Sequence, residues 1–174
     1  MNKQCVMMDG FSIDRCRFVL YPRWTNKPQR ALWTCTYTDE LSEIGWVEWC
    51  YYNQPEWIQN ELYLITPKEE VKVYEINTIE DYKSDELIKL PSNVAFMSQF
   101  INYEAMADKG YDGIHFSTNA AALGHSFTFE SDELTMGIST ALNPIDCEST
   151  VWFNTDWISS VELIVSNLKD AMEC

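Results

Sequence analysis

The stretch D-C-E-S-T-V-W-F-N-T-D-W-I-S-S-V-E-L, residues 146–163, contains two runs of β-branched and aromatic side chains separated by one turn. The first run covers residues 149–153, and the second begins at Ser159. Such side chains suit a pleated, packed surface, so we predict two strands joined by a short connection. Asp146 and Glu148 precede the first strand. A carboxylate held at a strand edge suits catalysis, and a solvated acid is equally ordinary there.

The rest of the chain alternates short strands with short helices, which predicts an α+β fold in one domain, residues 1–174. Patterns of apolar residues predict further strands at residues 17–21, 31–38, 62–66, 71–76 and 111–117. Helices are predicted at residues 42–53, 78–90, 102–109 and 167–174. The signals are helical spacing of apolar residues, a capping-box-like Thr78-x-x-Asp81, and proline or glycine where a helix ends. Residues 118–143 show no period, and we predict a long loop there.

Composition indicates a folded, cytoplasmic protein. The aromatic fraction of 14% argues against disorder. No apolar run approaches the roughly 20 residues that a membrane span needs, and the first ten residues do not resemble a signal peptide. The six cysteines form no C-x-x-C, and the two histidines lie outside any metal-ligand spacing. We therefore expect reduced thiols and no metal site.

Charge is distributed unevenly along the chain. The formal net charge is -15, which opposes binding to nucleic acid or to an anionic membrane. All four arginines nevertheless lie in the first thirty residues, which carry six cations and two acids. They are Arg15, Arg17, Arg23 and Arg30. Arginine suits planar recognition of phosphate or carboxylate, so this segment predicts either an anion pocket or arginines that pair with the acidic body.

Two stretches in the first third of the chain offer candidate ligand contacts. In A-L-W-T-C-T-Y-T, residues 31–38, alternation places Thr34 and Thr36 on one face and the more apolar side chains on the other. The apolar set is expected to face the core, so the threonines line either solvent or a cleft. In the helix that follows, Trp46 and Trp49 recur at helical spacing, which is typical of a core stripe or of a ligand pocket.

Several blocks together resemble known families. K-P-Q-R-A-L-W (residues 27–33) and G-W-V-E-W-C (residues 45–50) resemble a phage and bacterial group with a K-P-x-G-L-W opening and a G-W-x-x-W-C helix. Y-D-G-I (residues 111–114) and the ending N-x-x-x-I-x-S-V-E-L resemble ADP-ribosyltransferase-like domains. That resemblance implies a split two-sheet fold with short helices that binds NAD. In such domains an early strand carries an Arg or His, a middle strand carries hydroxyls, and a late strand carries a Glu.

The resemblance also implies a role for individual residues. Arg17 or Arg23 takes the first position, Thr34 and Thr36 the second, and Glu148 is the catalytic carboxylate. The implied nucleotide contacts are Arg17, Tyr21, Arg23, Arg30, Thr34, Thr36, Trp46 and Tyr111. The chain departs from the family where Thr34-Cys35-Thr36 replaces an S-T-S triplet. It departs again where Asp146 replaces the Gln or Glu two residues before the catalytic position.

Two functions follow as expectations. The first is an ADP-ribosyltransferase-like protein that transfers ADP-ribose to an acceptor, such as a protein, or cleaves the nicotinamide–ribose bond. The second is a non-catalytic acidic protein, phage-encoded and acting in the host cytoplasm, that binds and inhibits a host or partner protein. The strong negative charge of the chain after residue 30 fits an acidic binding protein better than it fits an enzyme. Mimicry of nucleic acid by surface carboxylates is a third, weaker alternative.

Overall fold

A computed structural model describes residues 1–22, 25–91, 99–125 and 141–172. The strands are β1 (Gln4–Met7), β2 (Val19–Pro22), β3 (Pro28–Arg30), β4 (Leu32–Thr36), β5 (Leu62–Pro67), β6 (Val73–Ile76), β7 (Lys89–Pro91), β8 (Gln99–Ile101), β9 (Gly113–Phe116), β10 (Ser149–Trp152) and β11 (Ile158–Val165). The α-helices are α1 (Gly45–Asn53), α2 (Ile79–Lys83), α3 (Tyr103–Asp108), α4 (Thr118–His125) and α5 (Leu168–Met172). The α+β class predicted from sequence is confirmed.

Seven strands of the described chain form one sheet in the order β11-β5-β1-β4-β10-β9-β6. Neighbouring strands are antiparallel except for β6 and β9, which run parallel. Strand β1 pairs with β5 at four positions but with β4 at only two, Gln4 with Thr36 and Cys5 with Cys35. Beyond Cys5 the two strands are therefore no longer paired, and the sheet opens between them.

The central strands are buried on both faces. Within β10, Val151 joins the cluster that contains buried residues of α2, α3 and α4. Trp152 points to the opposite face, where it stacks on Trp157 at 3.5 Å between ring centroids. A third cluster lies under α1 and includes Val47 and Cys50. Residues 146–163 thus contribute to both faces of the sheet.

The last two strands, which the sequence predicts to be joined by a short connection, do not pair with each other. Both strands form where they were predicted, but β10 pairs with β4 and β9, whereas β11 pairs with β5 at the far edge. Buried Trp157 lies in the connection between them. Two adjacent runs of β-forming residues predict two strands, but partner choice depends on contacts that are distant in sequence.

Two predicted boundaries also need correction. The helix predicted for residues 78–90 ends at Lys83, because the chain continues into β7, which pairs with β8. The loop predicted for residues 118–143 begins with α4, Thr118–His125, whose three consecutive alanines are strong helix formers. The rest of that loop prediction falls largely on residues 126–140, outside the described residues.

The helix predicted for residues 102–109 is confirmed: Asn102 caps it, and Gly110 follows with a φ of 80°.

Candidate active site

Glu148 lies one residue before β10 and binds the neighbouring strand β4. The pairing of Thr150 with Thr34 extends to Glu148 and Thr36, so these two residues lie side by side. The Glu148 carboxylate accepts hydrogen bonds from the Thr36 backbone N–H (3.1 Å to Oε2) and from the Thr36 hydroxyl (2.9 Å to Oε1). Its side chain is 17% exposed. The sheet therefore holds this carboxylate in one orientation while leaving part of it accessible.

His115 is the second polar group at this position, and sequence reasoning missed it. Its Nδ1 lies 3.4 Å from Glu148 Oε1 and 3.0 Å from the Thr150 hydroxyl, and its Nε2 lies 3.8 Å from Glu75 Oε2. One sequence signal was present: in G-I-H-F the imidazole stands between Ile114 and Phe116, so it points to the opposite face of the sheet from both. Glu148, His115 and Thr36 are thus brought together from three neighbouring strands.

A cavity of about 550 Å³ lies beside Glu148, and we call it the Glu148 cavity. Its polar lining is mainly acidic and hydroxylated, with Glu43, Glu48 and Asp146 near Glu148 and with Thr36 on the wall. Trp49 and Tyr52 supply aromatic surface, and Thr118 and His125 come from α4. This combination suits a ligand with a flat ring and positive charge.

Helix α1 packs closely against the backbone of Glu148. A Cβ atom on Gly45 would lie 2.9 Å from the Glu148 carbonyl oxygen, so only glycine fits without displacement. The Cys35 thiol donates to the same carbonyl (3.2 Å) and accepts from the Trp46 backbone N–H (3.2 Å). Its hydrogen bond with the Cys147 side chain and its burial raise the pKa of Cys35 well above its ordinary value, so this thiol stays protonated. These contacts fix the backbone of Glu148 on the side where α1 packs.

Thr34 does not line the Glu148 cavity. Its hydroxyl is buried, donates to Gln4 Oε1 (2.6 Å) and accepts from Trp152 Nε1 (2.7 Å). Thr34 instead lines a separate cavity of about 340 Å³, and its hydroxyl is engaged by Gln4 and Trp152. Thr36, two residues later, is the threonine that contacts Glu148.

The structure puts the early arginines in a different cavity from Glu148. Arg17 and Arg30 line a cavity of about 520 Å³ together with Arg15, and Glu148 is absent from its lining. Arg23 falls outside the described residues. Tyr21 is 47% exposed on β2 and lines neither cavity. The predicted convergence of arginines and Glu148 on one hollow is not seen among the described residues.

The other two predicted aromatic contacts, Tyr111 and Trp46, are absent from the lining of the Glu148 cavity. Tyr111 is buried, donates a hydrogen bond to Glu86 and packs edge-on against Tyr74, which makes it part of the core. Burial raises the pKa of Tyr111 to about 12. Trp46 stacks on Trp49 with 5.0 Å between ring centroids, and of these two indoles it is Trp49 that lines the Glu148 cavity.

The described residues contain no group of three or more His, Cys, Asp or Glu side chains arranged to hold a metal ion. No described helix is both long enough and apolar enough to cross a membrane. No protein-family model matches the chain, and no curated protein or solved structure matches it either. The functional argument therefore depends on the geometry around Glu148.

Proposed function

We propose that the chain is an ADP-ribosyltransferase-like protein that binds NAD or a related nucleotide and acts on the nicotinamide–ribose bond. One observation carries the proposal: a partly exposed carboxylate, that of Glu148, is fixed by two hydrogen bonds from Thr36 and lies 3.4 Å from His115 Nδ1, on the wall of a cavity large enough for a ligand. The residue is the one that the family resemblance assigns to catalysis. The split fold of such domains belongs to the same proposal.

The chemistry of the reaction explains why a fixed carboxylate is needed. When the bond between ribose C1′ and the nicotinamide nitrogen breaks, the electron pair leaves with nicotinamide and positive charge develops on the ribose. The Glu148 carboxylate stabilises that charge, and water or an acceptor nucleophile then attacks C1′. Because two hydrogen bonds from Thr36 already hold the carboxylate, little reorganisation is required in the transition state.

The charges around Glu148 favour one end of NAD over the other. Glu43 and Glu48 attract the positively charged nicotinamide ring and repel a pyrophosphate, whereas the charge of Asp146 is paired with Lys27 at 3.5 Å. The proposal is therefore strongest for the nicotinamide–ribose portion. We assign no phosphate contact to this cavity, since Arg17 and Arg30 line another one.

The proposal is tested by following nicotinamide release from NAD and, in parallel, from nicotinamide riboside. The Glu148→Gln variant keeps the shape of the side chain but removes its charge, and we expect release to fall by about 100- to 1,000-fold. Glu162→Gln is the matched control, because Glu162 is an exposed strand carboxylate on β11 and should leave the rate unchanged. Equal rates for both variants, or no release from either substrate, would remove the enzymatic proposal.

A second function, binding of a cationic partner protein, is favoured by one surface feature. The rings of Trp46, Trp49 and Trp57 pack together, and Trp57 is 50% exposed. Tyr51 and Tyr52 continue this aromatic surface, with Tyr52 74% exposed. Residues 31–67 contain six Asp and Glu residues and no Lys or Arg. Exposed aromatics among uncompensated carboxylates suit a lysine- or arginine-rich segment.

A lysine-rich peptide tests this second function. We expect the peptide to quench tryptophan fluorescence and to bind more weakly as NaCl increases, because the attraction is electrostatic. Combining Glu48→Gln with Glu56→Gln should weaken binding, as should Trp57→Ala, whereas Tyr21→Ala on β2 is the control. Binding that is unaffected by salt and by both surface changes would exclude this function.

A further inference from the structure

Three arginines line one cavity in a strongly acidic protein. Arg15 and Arg17 come from the segment after β1, and Arg30 ends β3. We call this space of about 520 Å³ the arginine cavity. None of the three guanidinium groups forms an ion pair with a carboxylate of the described residues. Of the two readings that the sequence allowed, this arrangement favours an anion pocket over pairing with the acidic body.

Nearby carboxylates are bound to other groups. Asp9, which also lines the arginine cavity, accepts hydrogen bonds from the backbone N–H groups of Asn60 and Glu61. Glu61 accepts from the Gly10 backbone N–H and from the Tyr63 hydroxyl. The Arg17 guanidinium donates to the carbonyls of Asp14 and Cys16, which hold it in place without neutralising it. Asp9 keeps its negative charge, so three arginines and one carboxylate leave the lining with a formal charge of 3 - 1 = +2.

An apolar cavity of about 340 Å³ adjoins the arginine cavity. The two cavities share the lining residues Met8, Ala31, Leu32 and Trp33. The apolar cavity lies where β1 and β4 stop pairing, so that Val6 of β1 and Leu32 of β4 both line it. Among the described residues, the only charged groups in its lining are Lys27 and Asp146, which pair with each other at 3.5 Å.

From this juxtaposition we infer that the two cavities form one binding site for a small amphipathic anion. The ligand carries a phosphate or carboxylate, which binds the arginines, on an apolar or aromatic body, which enters between β1 and β4. Guanidinium groups recognise both kinds of head group through paired hydrogen bonds. The apolar lining excludes a bare inorganic anion as the preferred ligand, because burying apolar surface must contribute to the affinity. This site does not include Glu148 and stands independently of the proposed function.

Calorimetric titration with 1-naphthyl phosphate and 1-naphthoate tests the inference. We expect at least one of these anions to bind more tightly, by about tenfold or more, than both 1-naphthol and inorganic phosphate. The tighter of the two anions identifies the preferred head group. Equal affinity for 1-naphthol would show that the arginines are not used. Equal affinity for inorganic phosphate would show that the apolar cavity is not used, and either result overturns the inference.

Variants locate the binding. Arg15→Gln combined with Arg30→Gln should weaken binding of the naphthyl anion by about tenfold or more, and this pair leaves the carbonyl contacts of Arg17 intact. Lys3→Gln combined with Lys169→Gln, which removes two exposed cations outside the lining of both cavities, is the control for net charge. Glu148→Gln should bind the anion normally. Unchanged binding by the double arginine variant, or lost binding by Glu148→Gln, would overturn the inference, and the second result would place the ligand in the Glu148 cavity.

Discussion

At the scale of single residues, Thr34 is the most constrained hydroxyl of the described strands. It receives a hydrogen bond from the Trp152 indole and donates one to Gln4, and all three residues are buried. Each of these groups has another of the three as its hydrogen-bond partner, and leaving a buried polar group without a partner is costly. Their role is to join β1, β4 and β10, and no free hydroxyl remains for a ligand.

Replacing Thr34 with Val tests this structural role. Valine has nearly the same shape but leaves Trp152 Nε1 and Gln4 Oε1 without their partner, so we expect a loss of about 1–3 kcal/mol in the free energy of unfolding. Urea denaturation measures the change. Thr25→Val, at an exposed position, is the control and should change stability by less than about 0.5 kcal/mol. A neutral Thr34→Val variant would mean that the network contributes nothing.

Cys5 gives a pH-dependent prediction at the same scale. Burial and the charge of Glu148 raise the pKa of Cys5 from the usual 9.0 to about 12. Because the folded pKa exceeds the unfolded one, the stabilisation is fully present below pH 9 and is lost as the pH rises from 9 towards 12. We expect the free energy of unfolding to fall less steeply above pH 9 in Cys5→Ala, by up to about 1.4 kcal/mol per pH unit. Parallel pH profiles would contradict this.

The sequence identified some of the candidate site residues and missed others. Glu148 was located because it directly precedes a strong β-forming run. His115 was missed, because the alternation in G-I-H-F shows only which face of the strand its imidazole is on and not which residues it contacts. It lies 35 positions from Thr150, with which it shares a contact of 3.0 Å. Only the pairing of β9 with β10 brings these side chains together.

At the scale of elements, the N-terminus of α1 supports the site by packing against the backbone of Glu148. Gly45 allows the helix to approach the Glu148 backbone, and the Trp46 N–H binds the Cys35 thiol. The helix carries no side-chain cap at its N-terminus. Its position is therefore held by packing and by this thiol contact.

The Gly45→Ala variant shows whether close packing or helix propensity dominates the contribution of this position to stability. In an exposed helix this change would stabilise by roughly 0.5–1 kcal/mol, since alanine is the better helix former. Here the new Cβ meets the Glu148 carbonyl oxygen at 2.9 Å, so we expect destabilisation by about 1–3 kcal/mol. Thermal unfolding measures the sign. A stabilised variant would show that α1 moves away from the strand at no cost.

At the scale of the whole molecule, the dominant feature is negative charge. A net charge of -15 on 174 residues produces self-repulsion in the compact state. Salt screens it, because the Debye length falls from about 30 Å at 0.01 M to about 3 Å at 1 M. We expect the urea midpoint of unfolding to rise as NaCl increases over this range at pH 7.

The same measurement near the sequence pI of about 4.3 is the control, because the net charge is then close to zero. The increase in midpoint with NaCl should shrink there. An equal increase at both pH values would mean that salt acts on the protein through an effect other than screening of its net charge.

The sequence by itself determined the α+β class, the existence of most strands and the ends of α3. These features depend on side-chain preferences and caps within a few residues, so they can be read locally. Only the tertiary structure decided that β10 and β11 lie apart, that Thr34 is buried, and that the arginines and Glu148 line separate cavities. Those outcomes depend on contacts such as that between Thr36 and Glu148, which lie 112 positions apart, and strand pairing over such distances has no local signature.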